Sequence, residues 1–264
     1  MLINQEARAY KAWEVLTEYA NKNEIITYSE LGEKIDIHHR AVKHPLEKIQ
    51  SYCLEEKLPS LTILVQNKSG QVGQGFIAWD VDDYETGCKK VYDYPWDDII
   101  NPFSYASDNT TEDKLIESLL SAPDSSKEVY IKIKNRGVSQ QIFRKTLLKA
   151  YDNQCALTGL SYIEGLEAAH IVPWASASQE QRLDVRNGIL LNAFHHKLFD
   201  IGLIRLNENY EIVCDKSLYR SVSEYDNLMV DKICGKKLTL PTDKKHHPLI
   251  ENIKHMNEII EKKK

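Results

Sequence analysis

Along the first part of the chain, apolar residues recur at helical spacing. Over residues 6–21, Ala9, Trp13, Leu16, Tyr19 and Ala20 fall on one stripe, which predicts an amphipathic helix. Thr27-Tyr28-Ser29-Glu30-Leu31 opens a second, shorter helix behind a Ser/Thr cap. A third is predicted over residues 40–56, with Val42, Leu46, Ile49, Cys53 and Leu54 toward a core. Pro45 stands in its early part, where a first turn accommodates proline. The period then changes. Leu61-Thr62-Ile63-Leu64-Val65 reads as a strand, and the Gly-rich stretch 67–76 reads as a turn and return strand.

Further along, residues 128–134 alternate apolar and polar and predict a strand. Residues 140–151 predict a helix, with Arg144, Lys145 and Lys149 able to touch phosphates. Residues 166–171 and 188–191 form an expected hairpin, followed by a short helix over 193–199. A second hairpin is expected from residues 203–206 and 210–214, around the turn-forming Asn207-Glu208-Asn209. A tail helix over 248–263 ends in Lys262-Lys263-Lys264, which complements the negative end of a helix dipole. The stretch 80–126 is acidic. It carries Tyr84, Tyr92, Tyr94 and Trp96, with Trp79 beside it. Tyr92-Asp93-Tyr94-Pro95-Trp96 is expected to pack against the first module, the alternative being an aromatic pocket for a flipped or modified base, and the later part is polar and linker-like. The class is α+β: an N-terminal module over 1–102, an acidic and polar linker over 103–126, and a C-terminal domain over 127–264.

The bulk numbers narrow the setting. A chain of 264 residues has room for two domains of ordinary size. No apolar run reaches the eighteen or so residues of a membrane span, and Met1 to Arg8 lack the basic start and apolar stretch of a signal peptide. Five scattered cysteines, an odd number, read as reduced thiols in a cytoplasmic protein. The net charge of −5 argues against nucleic-acid binding until its distribution is considered. Residues 80–126 hold 12 acidic against 3 basic side chains, and the rest of the chain is net positive. Weak, salt-sensitive nonspecific binding to nucleic acid is expected.

The candidate chemistry lies in Glu167-Ala168-Ala169-His170-Ile171-Val172-Pro173, Arg186-Asn187-Gly188 and His195-His196-Lys197-Leu198-Phe199-Asp200. Hydrolysing a phosphodiester requires a base for water, a cation for the developing charge and something to hold the base. His170 suits the base, because its unperturbed pKa lies near neutrality. His196 and Asp200, at i and i+4, share one helix face and offer a nitrogen and an oxygen to a cation. Asn187 has a carbonyl able to fix the His170 ring. Taken singly, each residue has a plainer reading: a core histidine, surface histidines on a helix, an Asn-Gly turn. His195 is compatible with facing the metal, the DNA or solvent.

Together, in this order, these residues resemble the HNH endonucleases. Flanking words add to the resemblance: Gln140-Gln141-Ile142-Phe143-Arg144, Cys155-Ala156-Leu157-Thr158-Gly159 and Phe199-Asp200-Ile201-Gly202-Leu203-Ile204 are similar to the restriction-type branch. The resemblance covers residues 136–206 well and the tail to about residue 255 more loosely. It implies a β-hairpin and helix around one metal ion, Mg²⁺ or Mn²⁺. His170 would be the general base, Asn187 its orienting residue, and His196 and Asp200 the metal ligands. Many members carry a further ligand directly before the base, where this chain has Ala169; Glu167 or water would fill that position. Relatives with two Cys-x-x-Cys pairs hold a structural zinc, whereas only Cys155 stands in this region, so none is expected. Arg144 and Arg186 are candidate phosphate contacts.

Three helices followed by a hairpin is the order of a winged helix-turn-helix. Residues 26–76 are also similar to the DNA-binding part of the alkyltransferase-like proteins, through Thr27-Tyr28-Ser29-Glu30-Leu31 and Arg40-Ala41-Val42. That family's reactive Pro-Cys-His-Arg word is absent, since the strand runs Leu64-Val65-Gln66-Asn67, and no alkyl transfer is expected. Arg40 and Lys43, with His44, would stand at the start of the DNA-reading helix. The expected function is a metal-dependent DNA endonuclease in restriction or antiviral defence, with DNA as substrate, defence-system partner proteins and no membrane. A homodimer would be needed to cut both strands. The alternatives are a non-catalytic DNA-binding protein on the same scaffold and an RNA-cleaving toxin.

Overall fold

The structure is a computed structural model that describes residues 3–218 and 222–262. It divides into two compact units, one of residues 1–112 and 132–138, the other of residues 113–131 and 139–264. Among the described residues, helices and three two-stranded sheets make it an α+β protein. No described helix is long and apolar enough to cross a membrane.

The first unit is built around α1 (Gln5–Lys22). Asn4 caps it by accepting from the Ala7 amide, and Asn23 ends it in the left-handed conformation. Its buried stripe, Ala9, Ala12, Trp13, Leu16 and Ala20, is the predicted one with Ala12 added and Tyr19 only half-buried. A short strand, β1 (Ile26–Thr27), leads into α2 (Tyr28–Lys34). Thr27 and Glu30 form a reciprocal capping box there. Helix α3 (Lys43–Glu55) begins later than predicted, and Arg40 lies in a separate 3-10 turn (His39–Ala41). The expected strand over 61–65 is instead a 3-10 turn (Leu61–Leu64) that runs into β2 (Val65–Gln66), which pairs parallel to β1. Leu61, Ile63, Leu64 and Val65 are all buried. A short run that is apolar except for the buried Thr62 fits a buried turn as well as a strand. The wing hairpin is reduced to one bridge, Gln66 to Val72. Helix α4 (Tyr84–Tyr92) follows, and Trp96 packs edge-on against Trp13 at 5.8 Å, as expected for the aromatic stretch.

Residues 103–126 are folded rather than linker-like. Phe103, Tyr105 and Ala106 are buried, and α5 (Glu112–Ser121) buries Leu115, Ile116 and Leu119. The strand expected over 128–134 is a helix, α6 (Ser126–Ile133). Val129 and Ile133 are buried at i and i+4, which suits both periodicities, and the exposure of Ile131 is what marks the helix.

Helix α7 (Arg136–Ala150), which belongs to the second unit from Ser139 on, precedes an antiparallel hairpin, β3 (Leu166–His170) and β4 (Gly188–Asn192). Helix α8 (Ala193–Asp200) follows at once, capped by the Asn192 side chain. A second hairpin, β5 (Ile204–Leu206) and β6 (Ile212–Cys214), turns on Asn207, whose side chain accepts from the Asn209 and Glu211 amides. A one-turn helix α9 (Glu224–Asp226) runs into a π-turn (Asn227–Asp231), and α10 (Ile250–Glu261) closes the unit. Lys263 and Lys264 lie outside the described residues. Cys214 and Cys234 form a disulfide, which corrects the expectation of five reduced thiols; Cys53, Cys88 and Cys155 are free and buried. The hairpin and the turn after Asp231 bring together two cysteines that sequence spacing does not pair.

Candidate active site

His170 ends β3 directly opposite Gly188, the first residue of β4. Its ring stacks on Phe143 of α7, with centroids 4.0 Å apart, and meets Trp174 edge-on at 5.6 Å. Gly188 makes this possible: a Cβ there would stand 2.5 Å from the Phe143 ring and 2.7 Å from Leu147. Nε2 of His170 lies 3.0 Å from the main-chain carbonyl of Arg182. A carbonyl only accepts, so Nε2 carries the proton and the lone pair is on Nδ1. Burial lowers the ring's pKa to about 4; the Arg182 carbonyl and Asp200 oppose that shift, and His196 adds to it.

Asn187 does not hold this ring. It is fully buried, accepts from the Val172 amide at 2.9 Å, and donates to the carbonyls of Gln181 (3.1 Å) and Val172 (3.3 Å). It therefore pins the backbone on both sides of the His170 pocket, while the ring contact expected of it belongs to Arg182. Sequence reading had no signal for this contact, because a main-chain carbonyl is independent of residue type. The Arg182 guanidinium lies over Tyr130 and Trp174, at 5.1 and 5.2 Å, and donates to the Tyr130 hydroxyl.

His196 lies on α8 beside this pocket. Its Nδ1 is 2.6 Å from Glu167 Oε2, and its Nε2 is 3.4 Å from Asp200 Oδ1. Both carboxylates are about half exposed, whereas the imidazole is 20% exposed. Ala169 is fully buried and Ala168 takes the place on the cavity wall. The cavity, about 410 Å³, is lined by Phe143, Arg144, Glu167, His170, Trp174, His196 and Asp200 among others.

Among the described residues, no group of three His, Cys, Asp or Glu side chains is already arranged as a metal site. The donors nevertheless fit a hard divalent cation. Nε2 of His196 and Oδ1 of Asp200, 3.4 Å apart, offer a nitrogen and an oxygen donor close enough to share one cation. Glu167 holds the other ring nitrogen, as a carboxylate commonly does for a metal-bound imidazole.

The remaining candidates fall differently. His195 is not on the cavity; it is buried, with both ring nitrogens bonded inside the protein. Arg186 is bound to Asp184 at 2.8 Å and to Asp124 at 2.5 Å, so it is committed to ion pairs rather than free for phosphate. Arg144 lines the cavity, yet its guanidinium donates to the carbonyls of Leu166 (3.0 Å) and Ile163 (2.8 Å). Arg40 and Lys43 are exposed in the first unit and border a separate cavity of about 330 Å³ with Tyr28, Gln50 and Phe76.

A hairpin and the helix that follows it set His170 beside the His196–Asp200 pair, an arrangement of ββα type. Residues 155–207 match the family model described as HNH endonuclease, which bears out the resemblance for that stretch. The matched segment lies within the second unit, and the chain carries an HNH nuclease domain, a phosphodiester hydrolase. Nucleases of this family generally use a divalent metal. No curated protein matches the chain.

Proposed function

We propose that the chain is a divalent-metal-dependent DNA endonuclease of restriction or antiviral defence, with His170 as general base. One observation supports this most: the His170 ring is held through Nε2 by a rigid main-chain carbonyl, which leaves Nδ1 as the basic nitrogen of a ring on the wall that also carries His196 and Asp200.

In this reading Nδ1 of His170 accepts a proton from water as the water oxygen bonds to phosphorus and the P–O bond to the leaving group breaks. The low pKa keeps the ring neutral and ready at neutral pH. An anionic phosphate placed beside it favours the imidazolium, so the ring becomes a stronger base once substrate is bound. Nε2 of His196 and Asp200 would hold the ion, Mg²⁺ or Mn²⁺, with Glu167 fixing the His196 ring through Nδ1. When bound, the ion neutralises charge on the phosphate and leaving oxygen. The first unit selects the target, with Arg40 and Lys43 on its DNA-facing side. One such site cuts one strand, so a double-strand break takes two copies.

The test is plasmid nicking by the full chain in Mg²⁺, Mn²⁺ or EDTA beside His170→Ala. Metal-dependent nicking that His170→Ala abolishes, with DNA binding retained, is expected. Equal loss of binding and cutting, or cutting in EDTA, would overturn the assignment.

A further inference from the structure

Helix α8 has only two turns, and only two of its side chains are buried, His195 and Phe199. They stand at i and i+4 and form one face. His196 and Asp200, also at i and i+4, form the next, about 100° around the axis. Glu167 holds the tip of the His196 ring, while the rotation of the helix that carries the second pair depends on what holds the first. Phe199 supplies an apolar contact, which restrains rotation weakly. His195 supplies directional bonds. Its Nδ1 is 2.8 Å from the Asn192 amide nitrogen, and its Nε2 is 2.8 Å from the Met229 carbonyl in the π-turn. Its own backbone amide donates to the Asn192 carboxamide oxygen at 2.9 Å. Asn192 is in turn tied through its backbone amide to Cys155 Sγ at 3.3 Å. One ring thus links the helix start, the end of β4 and the π-turn.

We infer that His195 is a positioning residue: its two ring hydrogen bonds fix the rotation of α8 and thereby aim His196 and Asp200 at the metal. The inference rests on the nuclease reading above. A ring tip lies about 5–6 Å from a helix axis. A rotation of roughly 10° therefore moves the His196 ring by about 1 Å, and a displacement of that size costs on the order of a hundredfold in rate. His195 itself touches neither substrate nor metal.

The experiment compares wild type, His195→Leu and His195→Gln as full chains, at a temperature well below each melting transition. It measures Mn²⁺ binding by calorimetry, and kcat and KM for plasmid nicking. Leucine fills the space without bonding, whereas glutamine can donate to the Met229 carbonyl and accept from Asn192. His195→Leu should weaken Mn²⁺ binding about tenfold and lower kcat about ten- to a hundredfold, with plasmid KM nearly unchanged. His195→Gln should recover most of both. If His195→Leu does not fold, Asn192→Ser carries the same test, since serine keeps the helix cap and removes the amide that bonds Nδ1. Weaker Mn²⁺ binding by that variant supports the inference, and unchanged binding overturns it. A folded His195→Leu that binds Mn²⁺ and nicks like wild type overturns the inference alone. So does a folded His195→Gln as impaired as leucine. Wild type that neither binds Mn²⁺ nor nicks overturns the nuclease reading, and the inference with it.

Discussion

His170 ties the stability of the second unit to pH in a direction that can be worked out. The ordinary pKa of 6.5 applies in the unfolded chain, and burial against Phe143 lowers it to about 4 in the folded protein. Between those values the unfolded state binds the extra proton, so stability rises with pH. The contribution from keeping the ring neutral is complete above pH 6.5 and is lost as pH falls toward 4. Linkage with these two values gives a loss of about 2 kcal/mol on going from pH 8 to pH 5, and at most about 3 kcal/mol below pH 4. The perturbation is His170→Gln, which removes the titrating group while its amide still donates to the Arg182 carbonyl. Urea unfolding of both proteins at the two pH values isolates the term, because the other histidines are common to both. The variant should lose about 2 kcal/mol less than wild type over that interval. For wild-type cutting, the acid limb of kcat/KM should fall nearer pH 4 than pH 6.5. An equal pH-dependent loss in the two proteins, or an inflection at 6.5, would refute the account of a buried, neutral base.

Gly188→Ala should cost about 1–3 kcal/mol by urea unfolding and reduce nicking, because its Cβ would press on Phe143 and through it on His170; an unperturbed, fully active variant would show that the close approach is not needed. Glu167→Gln should hold metal affinity near wild type, since its carbonyl can still accept from Nδ1 of His196, while Glu167→Ala should weaken Mn²⁺ binding about ten- to a hundredfold in calorimetry. Equal effects of the two would mean that Glu167 is itself a ligand. Arg186→Ala should destabilise the second unit by on the order of 3 kcal/mol, because it leaves the buried Asp184 unpaired, without altering the salt dependence of DNA binding. A salt slope reduced by about one would restore Arg186 to the phosphate contacts.

The site was legible where chemistry resides in side chains at a fixed period. His196 and Asp200 sit one helical turn apart, so a helix over 193–200 is enough to bring them together, and the structure does so. The cap of α2 was legible for the same reason, since Thr27 and Glu30 need only local backbone to meet. What stayed hidden depends on backbone atoms and on long-range packing. The Arg182 carbonyl that orients His170 and the Met229 carbonyl that holds His195 exist whatever residues occupy those positions. The helix α6 was misread because Val129 and Ile133 satisfy both a strand and a helix, and only the exposure of Ile131 separates them. Arg144 and Arg186 looked available because sequence counts charges without showing their partners.

Asn187-Gly188 shows how a local signal is reused by the fold. Alone, the dipeptide signals a turn. Here Asn187 closes a 3-10 turn (Val185–Asn187), and Gly188 begins β4. The asparagine's carboxamide bonds the amide and the carbonyl of Val172, two residues beyond His170, and the Gln181 carbonyl, one residue before Arg182. The two peptide segments that meet at the His170 ring are thus fastened to one buried side chain. The neighbouring glycine admits Phe143 against the ring from α7. Neither residue needs to touch the base to determine where it stands. Asparagine supplies donors and an acceptor that a buried backbone otherwise lacks, and glycine supplies room. The tautomer of His170 follows from the Arg182 carbonyl and its lowered pKa from burial, and these two neighbours help to place both.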